Sequence, residues 1–151
     1  MSYDVRLAGP EDLAVVLGLM SESRGPVNAW PDVASDRQRA MWDRMMGSDG
    51  LSVYLAESPE EPVATAALQV MPSLGYDCRP AAFIEAVVVA VAHRRRGAGR
   101  ALMQRVLEDC RAQGCHKVQL LSHKRHAADG AYDFYHSLGF TQEAAGFRLY
   151  L

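Results

Sequence analysis

Near the start of the chain, Val5 and Leu7 are apolar residues separated by one polar position, which predicts a short strand. Leu13, Val16, Leu17 and Met20 then recur at helical spacing. Gly9-Pro10-Glu11-Asp12 marks the start of that helix, because proline suits the first turn and the acids sit at the positive end of the dipole. The stretch from Ser21 to Pro31, with Gly25-Pro26 and Trp30-Pro31, reads as irregular. A second helix is predicted from about Val33 to Met46, burying Ala34, Met41, Trp42 and Met45, with Gly47 as its stop. Leu51, Val53 and Leu55 alternate as in a half-buried strand, Ser58-Pro59-Glu60-Glu61 turns the chain, and Val63 to Val70 returns as the partner strand.

Met71 to Pro80 holds Pro72, Gly75 and Pro80 and reads as a loop. Phe83 to Val89 is almost continuously apolar, which predicts a central strand buried on both faces. A helix follows from about Gly97 to Gln113, with the stripe Ala98, Leu102, Val106 and Cys110 broadened by Ala101, Met103 and Leu107, and Gly114 ends it. Val118, Leu120 and Leu121 predict the next strand. Ala127 to Leu138 predicts a fourth helix stopped by Gly139, and Phe140 and Phe147–Leu151 supply two final strands. The order β-α-α-β-β-β-α-β-α-β-β indicates an α/β fold of the α+β type. Its sheet is mixed and not doubly wound, because three strands in succession precede the third helix. With no repeat or linker, a single domain spanning residues 1–151 is expected.

A chain of 151 residues can bury roughly 70% of its unfolded surface and needs no disulfide or metal to hold a core. Its formal net charge of −2 argues against a dedicated nucleic-acid binder, which draws affinity from a basic excess. Cys78, Cys110 and Cys115 form neither a C-x-x-C pair nor an even set, so neither a disulfide framework nor a zinc site is signalled. The five histidines show no i, i+4 pairing with a carboxylate in helical context, so no metal is expected. The first residues lack a basic start followed by an apolar core, and no apolar run is long enough to span a bilayer. The expected location is the cytoplasm, with no membrane partner.

One segment adds chemistry to this outline. The apolar strand ending at Val89 runs into Arg94-Arg95-Arg96-Gly97-Ala98-Gly99-Arg100 at a helix start. Such a start presents unpaired backbone N–H groups and a positive dipole end to an anion. Gly97 and Gly99 remove Cβ atoms and permit positive φ. Arg94, Arg95, Arg96, Arg100 and Arg105 concentrate positive charge suited to a ligand with several phosphates. The segment is not a P-loop, since Arg100-Ala101 stands where Lys and Ser or Thr belong, and it lacks the third glycine of a dinucleotide-binding fingerprint.

The stretch from Val87 to Met103 resembles the signature of the GNAT superfamily of N-acetyltransferases: a valine-rich strand, then Gln/Arg-x-x-Gly-x-Gly/Ala, met here by Arg94, Gly97 and Gly99. Ala131 to Phe140 is similar to the family's Ala-x-x-Phe-Tyr-x-x-x-Gly-Phe element. The resemblance covers nearly the whole chain. It implies a mixed, mainly antiparallel central sheet of about seven strands, splayed in the middle, with four flanking helices. Acetyl-CoA is implied as cosubstrate. Its pyrophosphate would lie on the backbone of the loop from Arg95 to Arg100, with Arg94 to Arg96 tuning affinity. Its pantetheine arm would pair with Val87 and Val89, and the N–H of Val87 or Val88 would face the developing oxyanion. Many members carry Asn seven residues before the tyrosine, where this chain has Ala128.

Acyl transfer to an amine requires a deprotonated amine, donors for the carbonyl oxygen and stabilisation of the departing thiolate. Periodicity alone would make Tyr135 a core aromatic on the stripe Ala128, Ala131, Tyr132, Tyr135 and Leu138, whereas the resemblance implies a proton donor to the thiolate. Glu85 is the single charge in the strand from Phe83 to Val89. A carboxylate there must be paired or face a cleft, so it is either the base or a strand-end partner of a surface arginine. By alternation it shares a face with Phe83, Val87 and Val89. Acceptor contacts are expected from Glu22, Arg24, Asn28 and Trp30 in the first long loop, and from Tyr76, Asp77 and Arg79 in the second. The expected activity is acetyl transfer to a primary amine of a small molecule or peptide. The alternative is a non-catalytic acyl-CoA sensor of the same fold. A homodimer is the expected assembly, with no nucleic acid involved.

Overall fold

A computed structural model describes residues 2–24 and 34–151, in two compact units, residues 1–119 and 120–151. The first unit is built on a sheet of β1 (Asp4–Leu7), β2 (Leu51–Glu57), β3 (Pro62–Met71), β4 (Ala81–Val89) and β5 (Lys117–Leu120), in the order β1-β2-β3-β4-β5. The first four strands pair antiparallel. Ser58 closes the β2–β3 hairpin, its N–H donating to the Glu61 carbonyl at 2.9 Å and its hydroxyl accepting from the Glu60 and Glu61 N–H groups.

Helix α1 (Leu13–Arg24) packs on β3 and β4, and α2 (Asp36–Met46) packs on β2. A single turn, α3 (Gly75–Cys78), interrupts the expected loop, and α4 (Ala98–Ala112) lies across β1 to β4. The apolar stripe predicted for α4 is the buried one: Ala98, Leu102, Val106 and Cys110, with Met103, are enclosed. Leu102, Met103 and Val106 each contribute about 1.5–3 kcal/mol on burial. Burial on both faces, expected of β4, belongs instead to β2 and β3, where Val53 to Ala56 and Val63 to Ala66 are all enclosed. There large meets small across the ladder, as in Tyr54 opposite Ala66.

The helix starts depart from the sequence reading in detail. Pro10–Asp12 forms a 3-10 turn ahead of α1, because the Asp12 carboxylate is drawn to Arg6 at 2.6 Å and accepts the Gly9 N–H at 2.7 Å. Helix α2 begins at Asp36 because Ser35 and Gln38 form a reciprocal capping box. Its buried residue is Trp42, whose indole N–H donates to the Pro10 carbonyl at 3.1 Å, while Met41 is exposed. Gly50 is held at φ +76° between α2 and β2, and a Cβ there would lie 2.4 Å from the Val70 carbonyl oxygen.

The second unit carries α5 (Ala131–Ser137), shorter than the expected 127–138 because Gly130, at φ +92°, caps it and Lys124–His126 forms a separate 3-10 turn. Gly139 stops α5 as expected, at φ +93°. The Phe140 N–H donates to the Tyr135 carbonyl at 3.1 Å and the Gly139 N–H to His136 at 2.9 Å, a Schellman cap. Phe140 and Phe147–Leu151, expected as two further strands, form no ladder. Alternation assigns a face, but a strand also needs partners for its backbone groups. The described residues therefore hold five strands and five helices, not seven and four.

Candidate active site

The chemistry predicted for β4 rests on an irregularity in it. Glu85 lies opposite Ala67 and Val88 opposite Thr65, so three steps along β4 match two along β3. The extra residue is a β-bulge with Ala86 at φ +52°, and Ala86 and Val87 stand outside the register. Bulges re-aim side chains and release backbone groups from the ladder. Ile84 lies opposite Leu68 and Val88 opposite Thr65, four steps along β4 against three along β3, so the side-chain phase changes at the bulge. Glu85 consequently keeps the face of Phe83 but is out of phase with Val89, which lies opposite Ala64, a correction to strict alternation.

Beyond β4 the chain makes a 3-10 turn, Val91–His93, and enters α4 through Gly97. Two residues of this loop are left-handed: Arg95 at φ +58° and Gly97 at φ +97°. Left-handed residues near a helix start turn successive N–H groups toward one concavity, which favours an anion. A Cβ at Gly97 would meet no atom within 4 Å, so glycine is needed there for its φ and not for space. Gly99, expected to share that role, is an ordinary residue of the first helical turn. Arg94, Arg95 and Arg96 are exposed. Arg105 drops out of the cationic cluster: it holds Asp109 at 3.1 Å and donates to the Val5 carbonyl at 3.2 Å. Asp109 also accepts the buried Tyr54 hydroxyl at 2.8 Å, so this part-exposed arginine is tied to contacts that hold the fold.

The edge of β4 is engaged by its own chain. Arg94 Nε donates to the Val89 carbonyl at 3.1 Å, and the Val91 N–H donates to Glu22 Oε2 at 2.7 Å. Glu22 and Arg24 belong to α1 and not to the loop in which they were expected. Asn28 and Trp30 lie outside the described residues. Tyr76 and Arg79 share one turn, where Arg79 Nε donates to the Tyr76 carbonyl at 3.3 Å. The Tyr76 ring stacks on His116 with centroids 4.1 Å apart, and Tyr76, Asp77 and Cys78 are all left-handed.

In the second unit, Tyr135 is half-buried on α5, edge-on to Phe140 with centroids 6.0 Å apart. Burial first, and the Asp129 carboxylate second, push its phenol above the ordinary value, so it remains a proton donor at neutral pH.

The residues that form this bulged strand, loop and helix start fall within the match to a known family. The model of the Acetyltransferase (GNAT) family matches residues 18–140. The chain belongs to the GNAT family. The match takes in β4, the loop, α4 and α5. A curated relative, glucosamine 6-phosphate N-acetyltransferase of Trypanosoma brucei brucei, is 35% identical over 87 residues, 58% of this chain. The aligned part is 56% of that protein, so this GNAT chain spans little more than half the length of the curated relative it matches. A solved acetyltransferase from Agrobacterium tumefaciens, described as putative, shares 34% identity with TM-score 0.86, covering 98% of this chain and 99% of that one. AAC(6')-Iy, solved with a CoA bisubstrate analogue, superposes at TM-score 0.78 with 18% identity, covering 100% of this chain and 99% of that one, which is a likeness of fold.

Ala86 escaped the sequence reading of this GNAT site, and so did the left-handed backbone of Arg95, a residue that reading did include. Neither residue type announces a left-handed backbone, since a Cβ disfavours it. The sole hint was the run of glycines beside Arg95. No helix among the described residues is long and apolar enough to cross a membrane.

Proposed function

We propose that this GNAT protein is an acetyl-CoA-dependent N-acetyltransferase that moves an acetyl group directly onto a primary amine of a small molecule or peptide. The observation that carries the reading is the bulge at Ala86 followed, on the same strand, by the left-handed loop at the start of α4. In this reading the N–H groups from Arg95 to Arg100 hold the pyrophosphate, with Arg94 to Arg96 adding charge. Val87, Val88 and Val89 offer backbone to the pantetheine arm. The N–H freed at the bulge faces the carbonyl oxygen as charge develops on it. Glu85 takes the proton from the amine, directly or through water, and Tyr135 donates to the departing thiolate. Tyr76 and Arg79 contribute to acceptor recognition, as does Trp30. The relatives' named substrates, an amino-sugar phosphate and aminoglycosides, favour a small polyhydroxylated amine. We place the enzyme in the cytoplasm, where its three free thiols stay reduced.

A panel of amino sugars, aminoglycosides, polyamines and peptides, assayed with acetyl-CoA for acetylated product, tests this. The expected result is turnover of at least one amine. Binding of CoA with no product from any amine would turn the reading into that of a sensor. Failure to bind CoA would remove both.

A further inference from the structure

Helix α4 ends in the same cap as α5. Gly114, at φ +74°, occupies the left-handed position, its N–H donates to the Arg111 carbonyl at 3.0 Å, and the Cys115 N–H donates to the Cys110 carbonyl at 3.1 Å. In such a cap the residues joined by the outer hydrogen bond bring their side chains together, normally as an apolar contact. In α5 that contact is Tyr135 against Phe140. In α4 both positions are cysteine.

We propose that Cys110 and Cys115 form a peroxide-sensitive dithiol, a modification site that closes to a disulfide across the α4 cap. Cys110 is 1% exposed, whereas Cys115 is half-buried. Burial first, then the neighbouring Cys115 side chain, push the Cys110 thiol up to about 11. Cys115 is therefore the thiol that meets the oxidant, since the thiolate is the nucleophile and access decides which thiol reacts. Its sulfur attacks one peroxide oxygen, the O–O bond breaks, and Cys115 becomes a sulfenic acid as one water leaves. The Cys110 sulfur then attacks Cys115 sulfur and forms the S–S bond. The sulfenic hydroxyl leaves with the Cys110 proton as a second water. Two thiols are oxidised and one peroxide is reduced to two waters.

The cap is well placed to transmit this change. The next residue, His116, donates its N–H to the Pro80 carbonyl at 3.0 Å and stacks beneath Tyr76. Closing the disulfide fixes the chain immediately before that anchor.

The test uses the full chain carrying Cys78→Ser, which removes the exposed thiol of α3. Reduced protein is treated with hydrogen peroxide below its melting temperature, alkylated and digested with trypsin. Cleavage after Arg111 and Lys117 separates Val106–Arg111 from Ala112–Lys117, so each cysteine lies on its own peptide. The expected result is loss of both free thiols, a linked pair of peptides two hydrogens lighter than their sum, a monomer on a non-reducing gel, and reversal by dithiothreitol. In a Cys78→Ser, Cys110→Ala protein, Cys115 is instead trapped by dimedone as its sulfenic acid. Linkage only between chains, linkage that forms only in denaturant, or unlinked peptides under peroxide that fully oxidises the Cys78 thiol of the wild type would each overturn the proposal.

Discussion

Replacing Gly97 by alanine separates what the loop does from what the fold needs. A Cβ at this position meets nothing within 4 Å, so no clash arises. The cost is the left-handed backbone alone, about 1–3 kcal/mol for an L-residue. The loop is exposed, and it can shed that cost by relaxing toward negative φ. Relaxation turns the N–H groups at the start of α4 away from their common focus. Because the exposed loop relaxes when free, the left-handed backbone must be restored on binding and the penalty falls there, and about 1–3 kcal/mol corresponds to a roughly 5- to 150-fold weaker Kd for CoA. Gly50→Ala is the contrasting variant. There the new Cβ lies 2.4 Å from a backbone oxygen that cannot move freely, at φ +76°. Overpacking and backbone strain together cost about 3 kcal/mol or more, a fall in Tm of roughly 6–12 °C for a chain of this size. Calorimetric titration with CoA and melting followed by circular dichroism measure the two quantities on both variants. A Gly97→Ala protein that binds CoA within about two-fold of wild type, where one such hydrogen bond alone is worth about 1 kcal/mol, refutes the reasoning.

Three further outcomes follow from the same contacts. Tyr54→Phe removes a buried hydroxyl donated to Asp109 and lowers stability by about 1.5–3 kcal/mol, seen as a lower urea midpoint at unchanged m. The hydrogen bond from Arg6, reinforced by the Gly9 N–H, holds the Asp12 carboxyl below its ordinary value despite burial. Its stabilisation is therefore complete above the unfolded carboxylate value and is lost as pH falls through the folded one. Urea midpoints measured from neutral pH into that acid range should fall in the wild type and fall less steeply in Asp12→Asn. Tyr135→Phe keeps the ring contact with Phe140 and loses the donor, so kcat should fall about 10²-fold or more while CoA affinity and Tm hold.

What the sequence disclosed, and what it withheld, divides along physical lines. The α4 stripe and the hairpin at Ser58 were legible because burial imposes a period and turns impose residue types. Gly139 and Gly114 were legible as helix stops for the same reason. Ala86 was not legible, because the bulge depends on pairing with β3, which leaves no trace in residue type. Arg105 was misassigned because charge density says nothing of partners: its partner Asp109 lies one helical turn away on the same helix and also serves Tyr54. The 3-10 turn ahead of α1 went unforeseen, although Arg6 and Asp12 stand in plain sight, because their pairing depends on strand and turn meeting in space. The final strands were read from the apolar residues at Phe140 and Phe147–Leu151, and apolar residues are only half of what a strand requires.

The bulge also constrains how β4 can change over time. Its length is fixed as firmly as its composition. Substituting a residue there perturbs one contact, but deleting one between Glu85 and Val88 leaves a single residue opposite Ala66 and restores a regular ladder, with Ile84 still opposite Leu68 and Val88 still opposite Thr65. The pairing on both sides would survive, and the left-handed residue that stands outside it would be gone. Relatives of this chain can therefore drift widely in which apolar residues line β4. A variant that is one residue shorter at this point keeps the register on both sides and forfeits the backbone released at the bulge.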